Sequence, residues 1–158
     1  AEAPVTIVEF ADYQCPHCKA AAPLMREVLK RHAGKVRVVF IDFPINRSGI
    51  SRLVAKGAVC AEQQGRFWDF HDLAFDNQAS LTVSAPTSLA AQLGLDKVAF
   101  ESCYQSQSPE RKVASAEAEA ERLGLKSTPT IFVNGQRLRS VRGMAGDLNR
   151  AVEQALAQ

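Results

Sequence analysis

Residues 5–18 read V-T-I-V-E-F-A-D-Y-Q-C-P-H-C. Val5 to Phe10 is apolar or β-branched apart from Glu9, as expected of a short strand buried on both faces. Cys15 and Cys18 then form a C-x-x-C pair. From Lys19 to Lys30 the residues Leu24, Met25, Val28 and Leu29 recur at helical spacing, and Gly34 offers a left-handed cap. Pro23 is expected to kink this helix rather than end it, because the apolar pattern resumes at once. Lys35 to Phe43 reads as a second strand. Strand, helix, strand in this order implies a right-handed βαβ unit with parallel strands.

Downstream the pattern is helical for some seventy residues. The spacing predicts helices over Ser51–Gln64, Arg66–Asn77, Ser84–Leu93, Lys97–Gln105 and Pro109–Leu123, with Gly94 and Gly124 at C-caps. The run Glu117-Ala118-Glu119-Ala120-Glu121 reads as a solvated helix face. Thr130 to Leu138 then holds Asn134-Gly135 between apolar runs, a strong hairpin signal. Gly146–Ala157 is a final helix. Without the helical block, a βαβ–ββα unit remains, with the cysteine pair at its first strand–helix junction. The expectation is an α/β protein of thioredoxin fold with a helical insertion. Its domains would be 1–48 plus 124–158, and the insert 49–123.

The 158 residues carry a formal net charge of +2 with interspersed signs, which argues against a nucleic-acid or anionic-membrane partner. No apolar run approaches the roughly 18 residues of a membrane-spanning helix. Ala1-Glu2-Ala3-Pro4 does not read as a signal peptide. Four cysteines fit one motif plus one further pair.

C-x-x-C at the start of a helix suits thiol–disulfide exchange, which needs a thiolate attacker and a second thiol to resolve the mixed disulfide. Cys15 would sit near the helix N-cap, where free N–H groups and the macrodipole favour negative charge. Pro16 fits the first helical turn, where its missing N–H costs nothing. His17 would add a donor or a positive charge beside Cys15, and Cys18, one turn on, would be the buried resolving thiol. The alternative is half of a zinc site. That would need two more ligands at recognisable spacing, whereas Cys60 and Cys103 are isolated and His32 and His71 belong to no ligand pair. His32 is read as a helix-end cation and His71 as a partly buried packing residue. No metal ligand or cofactor is assigned.

Cys15-Pro16-His17-Cys18 after an apolar strand, the helical block, Phe67-Trp68-Asp69-Phe70-His71-Asp72 within it, and Thr128-Pro129-Thr130 before the hairpin together resemble DsbA-type thiol:disulfide oxidoreductases of the bacterial envelope. The resemblance runs from Val5 to the last helix. It implies that Pro129 is the family's cis-proline, facing the cysteines where a substrate strand pairs, with Thr128 lining the site. It also implies that Glu9 is a buried acid that exchanges protons with Cys18. A charged, unpaired glutamate in an apolar strand is costly, so its pKa should rise. The alternative is that Glu9 reaches the strand edge and pairs with a lysine.

Each pKa unit by which a site favours its thiolate adds about 1.4 kcal/mol to the reduced state, so a low-pKa Cys15 makes its disulfide an oxidant. The expectation is therefore a periplasmic or otherwise extracytoplasmic monomer that introduces disulfides into reduced, unfolded or partly folded proteins. A membrane re-oxidase of the DsbB or vitamin-K-epoxide-reductase (VKOR) type would renew it. Thr128 keeps a reductase or isomerase open, because members resembling those often carry threonine before the cis-proline. A non-catalytic metal-binding or holdase module is the reading from a different class. Cys60 and Cys103 are either two inert core thiols or a structural disulfide; in an oxidising compartment pairing is expected.

Overall fold

The computed structural model describes residues 3–139 and 143–158; the opening Ala1-Glu2 lies outside them. Strand β1 (Val5–Ala11) leads through a short loop into α1 (Pro16–Arg31) and then β2 (Val36–Asp42). Five α-helices follow: α2 (Ile50–Gln63), α3 (Phe67–Asp76), α4 (Ala85–Gln92), α5 (Lys97–Gln105) and α6 (Ser108–Arg122). A single 3₁₀ turn at Gln78–Ser80, with no signal in the sequence, separates α3 from α4. The chain closes with β3 (Thr130–Val133), β4 (Gln136–Arg137) and α7 (Met144–Leu156).

The sheet order is β2-β1-β3-β4. β1 pairs parallel with β2 and antiparallel with β3, and β3 pairs antiparallel with β4 through the Asn134-Gly135 turn. Both turn residues have positive φ, 46° and 83°, as a tight hairpin of this hand requires.

Successive side chains of β1 serve two layers, because strand residues alternate between faces. Val5 and Ile7 pack with Ala21, Met25 and Val28 of α1 and with Leu148 and Val152 of α7. Phe10 points the other way, to Phe43, Ala120 of α6 and Leu125. The largest apolar cluster joins the cysteine end of the sheet to the helical block through Tyr13, Cys18, Val54, Phe70, Phe75 and Phe100. Fully burying Phe10 or Phe70 contributes about 2–3 kcal/mol each. Helices α2 and α3 approach so closely that a Cβ on Gly57 would lie 2.8 Å from the Phe70 ring.

As expected, Pro23 does not end helix α1, although it has no N–H to offer the Lys19 carbonyl. Three local expectations are corrected. The helix closes at the C-cap His32, whose N–H bonds the Val28 carbonyl; Gly34, with φ 79°, instead turns the chain into β2. His32 therefore stands just beyond the last turn. Glu117 is not simply solvated, since it and Glu110 both pair with Arg52 across α2 and α6.

Candidate active site

The site is built where three segments meet at one end of β1. Residue Phe10 lies opposite Thr130, and continuing that antiparallel register carries Thr128 toward Asp12 and the cysteine loop. Cys15 is the N-cap of α1, with extended backbone angles (φ −83°, ψ 120°), and Pro16 opens the helix. The Cys15 carbonyl accepts from the N–H groups of Cys18 and Lys19, starting the helical ladder (both 3.1 Å). Both cysteines are thiols, Cys15 half-buried and Cys18 fully buried. The Thr128–Pro129 bond is cis, Pro129 is buried, and the Cys15 thiol donates to the Thr128 carbonyl at 3.5 Å.

The two thiols differ sharply in acidity. Hydrogen bonding from Cys18, helped by the Thr128 side chain and the backbone N–H groups of Cys18 and His17, lowers Cys15 from 9.0 to about 5 against a smaller opposing effect of burial. Burial first, then the neighbouring Cys15, pushes the Cys18 thiol far above its ordinary value. The His17 imidazole is exposed, and the His17 backbone N–H is among the groups that favour the Cys15 thiolate.

Glu9 lies on the β1 face turned toward α1 and is 2% exposed. Its cross-strand neighbours are Phe40 and Ile131, and among the described residues it forms no salt bridge, so the lysine-paired alternative has no support there. Burial, and then the charge of Cys15, raises its carboxyl from 4.5 to about 8.

Residues that the sequence did not single out hold the loop. Asp12 is buried and accepts from the N–H of Gln14 (2.7 Å), from the N–H of Asn46 (2.8 Å) and from the Ser51 hydroxyl. Its own N–H points at the Cys18 sulfur (3.5 Å). Gln78, in the 3₁₀ turn, donates to the carbonyls of Tyr13 (2.8 Å) and Cys15 (2.9 Å). Asp42, at the end of β2, has its carboxyl raised to about 7 by burial and then by Asp12. Only the alternation of Glu9 and Ala11 along β1, and of their partners Phe40 and Asp42 along β2, hinted that Asp42 lies on the same face as Glu9. His71 is also corrected: at 3% exposure it is fully buried, and its Nδ1–H donates to Asp72 (2.9 Å).

Cys60 and Cys103 form a disulfide between α2 and α5. Among the described residues no group of three or more His, Cys, Asp or Glu is arranged to hold a metal ion. Nor is any helix there long and apolar enough to cross a membrane.

A family model described as thioredoxin (Thioredoxin_4) matches residues 1–153. The structure is similar to oxidised BdbD from Bacillus subtilis, with a TM-score of 0.87 and 25% identity over 99% of this chain and 90% of that one. It also matches the thiol-disulfide exchange protein alpha-DsbA2 from Wolbachia pipientis in fold, with a TM-score of 0.83 and 21% identity over 97% of this chain and 82% of that one. Among curated sequences, Na(+)/H(+) antiporter NhaA 3 from Salinispora tropica is 35% identical over 137 residues, 86% of this chain. The match covers 21% of that antiporter, so the chain spans about a fifth of the length of such relatives.

Proposed function

The chain belongs to the thioredoxin family, with a DsbA-like fold, and on that premise we propose that it is a thiol:disulfide oxidoreductase that donates a Cys15–Cys18 disulfide to reduced proteins outside the cytoplasm. The asymmetry of the pair carries this reading. With a Cys15 pKa of about 5, roughly 99% of that thiol is thiolate at pH 7, against a few per cent for an ordinary cysteine. A group that stabilises its thiolate stabilises the reduced pair, and the disulfide becomes correspondingly easy to give away.

In the proposed reaction a substrate thiolate attacks the Cys15 sulfur of the oxidised protein. The Cys15–Cys18 bond breaks, and Cys18 leaves with the electron pair. Cys18 holds a proton strongly, so it takes one up, and Glu9 is the acid within the buried site that supplies it. A second substrate thiolate then attacks the substrate sulfur of the mixed disulfide, and Cys15 leaves as a stable thiolate. The substrate gains a disulfide, and the protein is left with two thiols. The Thr128–Pro129 loop would seat the substrate backbone beside Cys15, with main-chain pairing giving breadth of specificity. The segment 49–123 would serve as an inserted helical domain bracing the loop through Gln78. A membrane re-oxidase of the DsbB or VKOR type would renew the disulfide, and the protein would work as a monomer.

The test is equilibration of the Cys15–Cys18 pair against glutathione redox buffers. An oxidase should have a potential above about −180 mV; a value near −270 mV would make it a reductase. A reductase or isomerase is the second reading, because Thr128 stands before the cis-proline as it does in members resembling those, and insulin reduction in the same series would reveal it.

A further inference from the structure

A cavity of about 210 Å³ opens between β1, α1 and α3. Its walls include apolar Ala22, Met25, Leu29 and Val38, yet it also brings together Glu9, His71, Asp72 and Arg26. Apart from the cysteines, Glu9 is the one proton-exchanging group that the proposed reaction uses, and it is buried within β1. A fully buried acid that exchanges a proton with Cys18 at every turnover must pass that proton on. The apolar shell of the site offers few routes.

His71 has the form of such a route. Its Nδ1–H donates to Asp72 Oδ1 at 2.9 Å, which leaves Nε2 as the free acceptor of a neutral imidazole. Nε2 is buried and has no hydrogen-bond partner. Asp72 in turn accepts from Arg26 of α1 at 2.6 Å, and Arg26 is 60% exposed. Burial opposes it, but the hydrogen bonds from His71 and Arg26 hold the Asp72 carboxyl below its ordinary value. The imidazole is gripped edge-to-face by Phe40 (4.8 Å), Trp68 (5.0 Å) and Phe75 (5.0 Å). The charged and titratable groups packed around His71 are therefore Glu9 from β1, Tyr13 from the cysteine loop, Arg26 from α1 and Asp72 from α3.

We propose that His71, oriented by Asp72 and Arg26, exchanges protons with Glu9 across this cavity and completes the path between the Cys18 thiol and solvent. The inference rests on the thiol–disulfide reading above. When Cys18 resolves a mixed disulfide on Cys15, its proton passes to the Glu9 carboxylate. The Cys18 thiolate attacks the Cys15 sulfur, and the partner leaves as a thiolate with the electron pair. Glu9 hands its proton to His71 Nε2, directly or through water for which the cavity has room. The imidazolium, paired with Asp72, releases the proton at the solvent-facing mouth. During disulfide donation the same proton runs the other way.

The experiment follows resolution of a Cys15–glutathione mixed disulfide in the full chain by stopped flow, across pH 5–9. The single tryptophan, Trp68, lines the cavity and serves as the probe. His71→Gln and Asp72→Asn are compared with wild type, and Cys15 alkylation is measured in each. His71→Gln is expected to slow resolution at least tenfold, within the usual range for a lost acid–base group, while alkylation changes less than twofold. Asp72→Asn is expected to slow it several-fold and to displace the pH profile, and added imidazole should partly restore His71→Ala. An unchanged pH profile in Asp72→Asn, or equal losses in resolution and alkylation, overturns the relay. Asp72 is partly exposed, so its variant carries the test even if the His71 variants do not fold. Failure of the wild type to exchange with glutathione at all would instead defeat the thiol–disulfide reading.

Discussion

The Cys15 sulfur lies 3.5 Å from the carbonyl oxygen of Thr128, a residue 113 positions away in the chain. The contact exists because β3 runs antiparallel beside β1, and it brings the loop before β3 over the N-terminus of α1. The Thr128 side chain there favours the Cys15 thiolate. Replacing it in Thr128→Val should raise the Cys15 pKa by about one unit and make the disulfide about tenfold less oxidising. Thiolate absorbance against pH, and the glutathione equilibrium, read the two effects; no movement in either would remove Thr128 from the tuning of Cys15.

Alkylation of the reduced protein should show a half-maximal rate near pH 5, set by Cys15. Cys18, buried and held protonated, should stay unmodified up to pH 9 unless the protein is unfolded. A midpoint above pH 7 would contradict the proposed oxidase.

Glu9 contributes a pH dependence of known sign. Its carboxyl binds a proton more tightly in the folded chain, with a pKa of about 8 against an ordinary 4.5. Between those values the folded state holds more protons than the unfolded one, so this contribution to stability falls as pH rises. Glu9→Gln removes the effect. Relative to wild type, the reduced variant should gain about 1.4 kcal/mol per pH unit across pH 5–8. Urea denaturation of both proteins at pH 5, 6.5 and 8 measures it, and parallel profiles would mean that Glu9 is ionised in the fold.

Gln78→Leu should keep the fold but release the cysteine loop, because the Tyr13 and Cys15 carbonyls lose a shared donor. A loss of about 1–2 kcal/mol is expected, with faster amide exchange confined to the loop around residues 12–18. Unchanged exchange there would show that Gln78 braces nothing.

The Cys60–Cys103 disulfide spans a sequence separation of 43, and closing a loop of that size contributes about 4 kcal/mol on the chain-entropy model. A Cys60→Ser/Cys103→Ser double variant should melt roughly 10 °C lower than the wild type. An equal melting temperature would mean that the helical block holds itself together without the bridge.

The sequence alone determined whatever depends on local pattern. The apolar run before Cys15, the helical spacing after it and Asn134-Gly135 near the end specified the order of elements. That order, with the C-x-x-C pair at a strand–helix junction, left few folds to consider. Cys15 at a helix N-cap was legible for the same reason, since both the cap and the motif are local. The surroundings of the thiols were decided by tertiary structure. Gln78 lies 63 positions from Cys15 and reaches it only because the 3₁₀ turn folds back over the loop. His17 stands two residues from Cys15 in sequence, yet it is exposed while Cys18, one residue further on, is buried. His71 read as packing because Glu9 and Arg26, which share its cavity, come from other elements. Burial, partner and dielectric are properties of assembled layers, and they fix the acidity of Glu9, Cys15 and Cys18 that the chemistry requires.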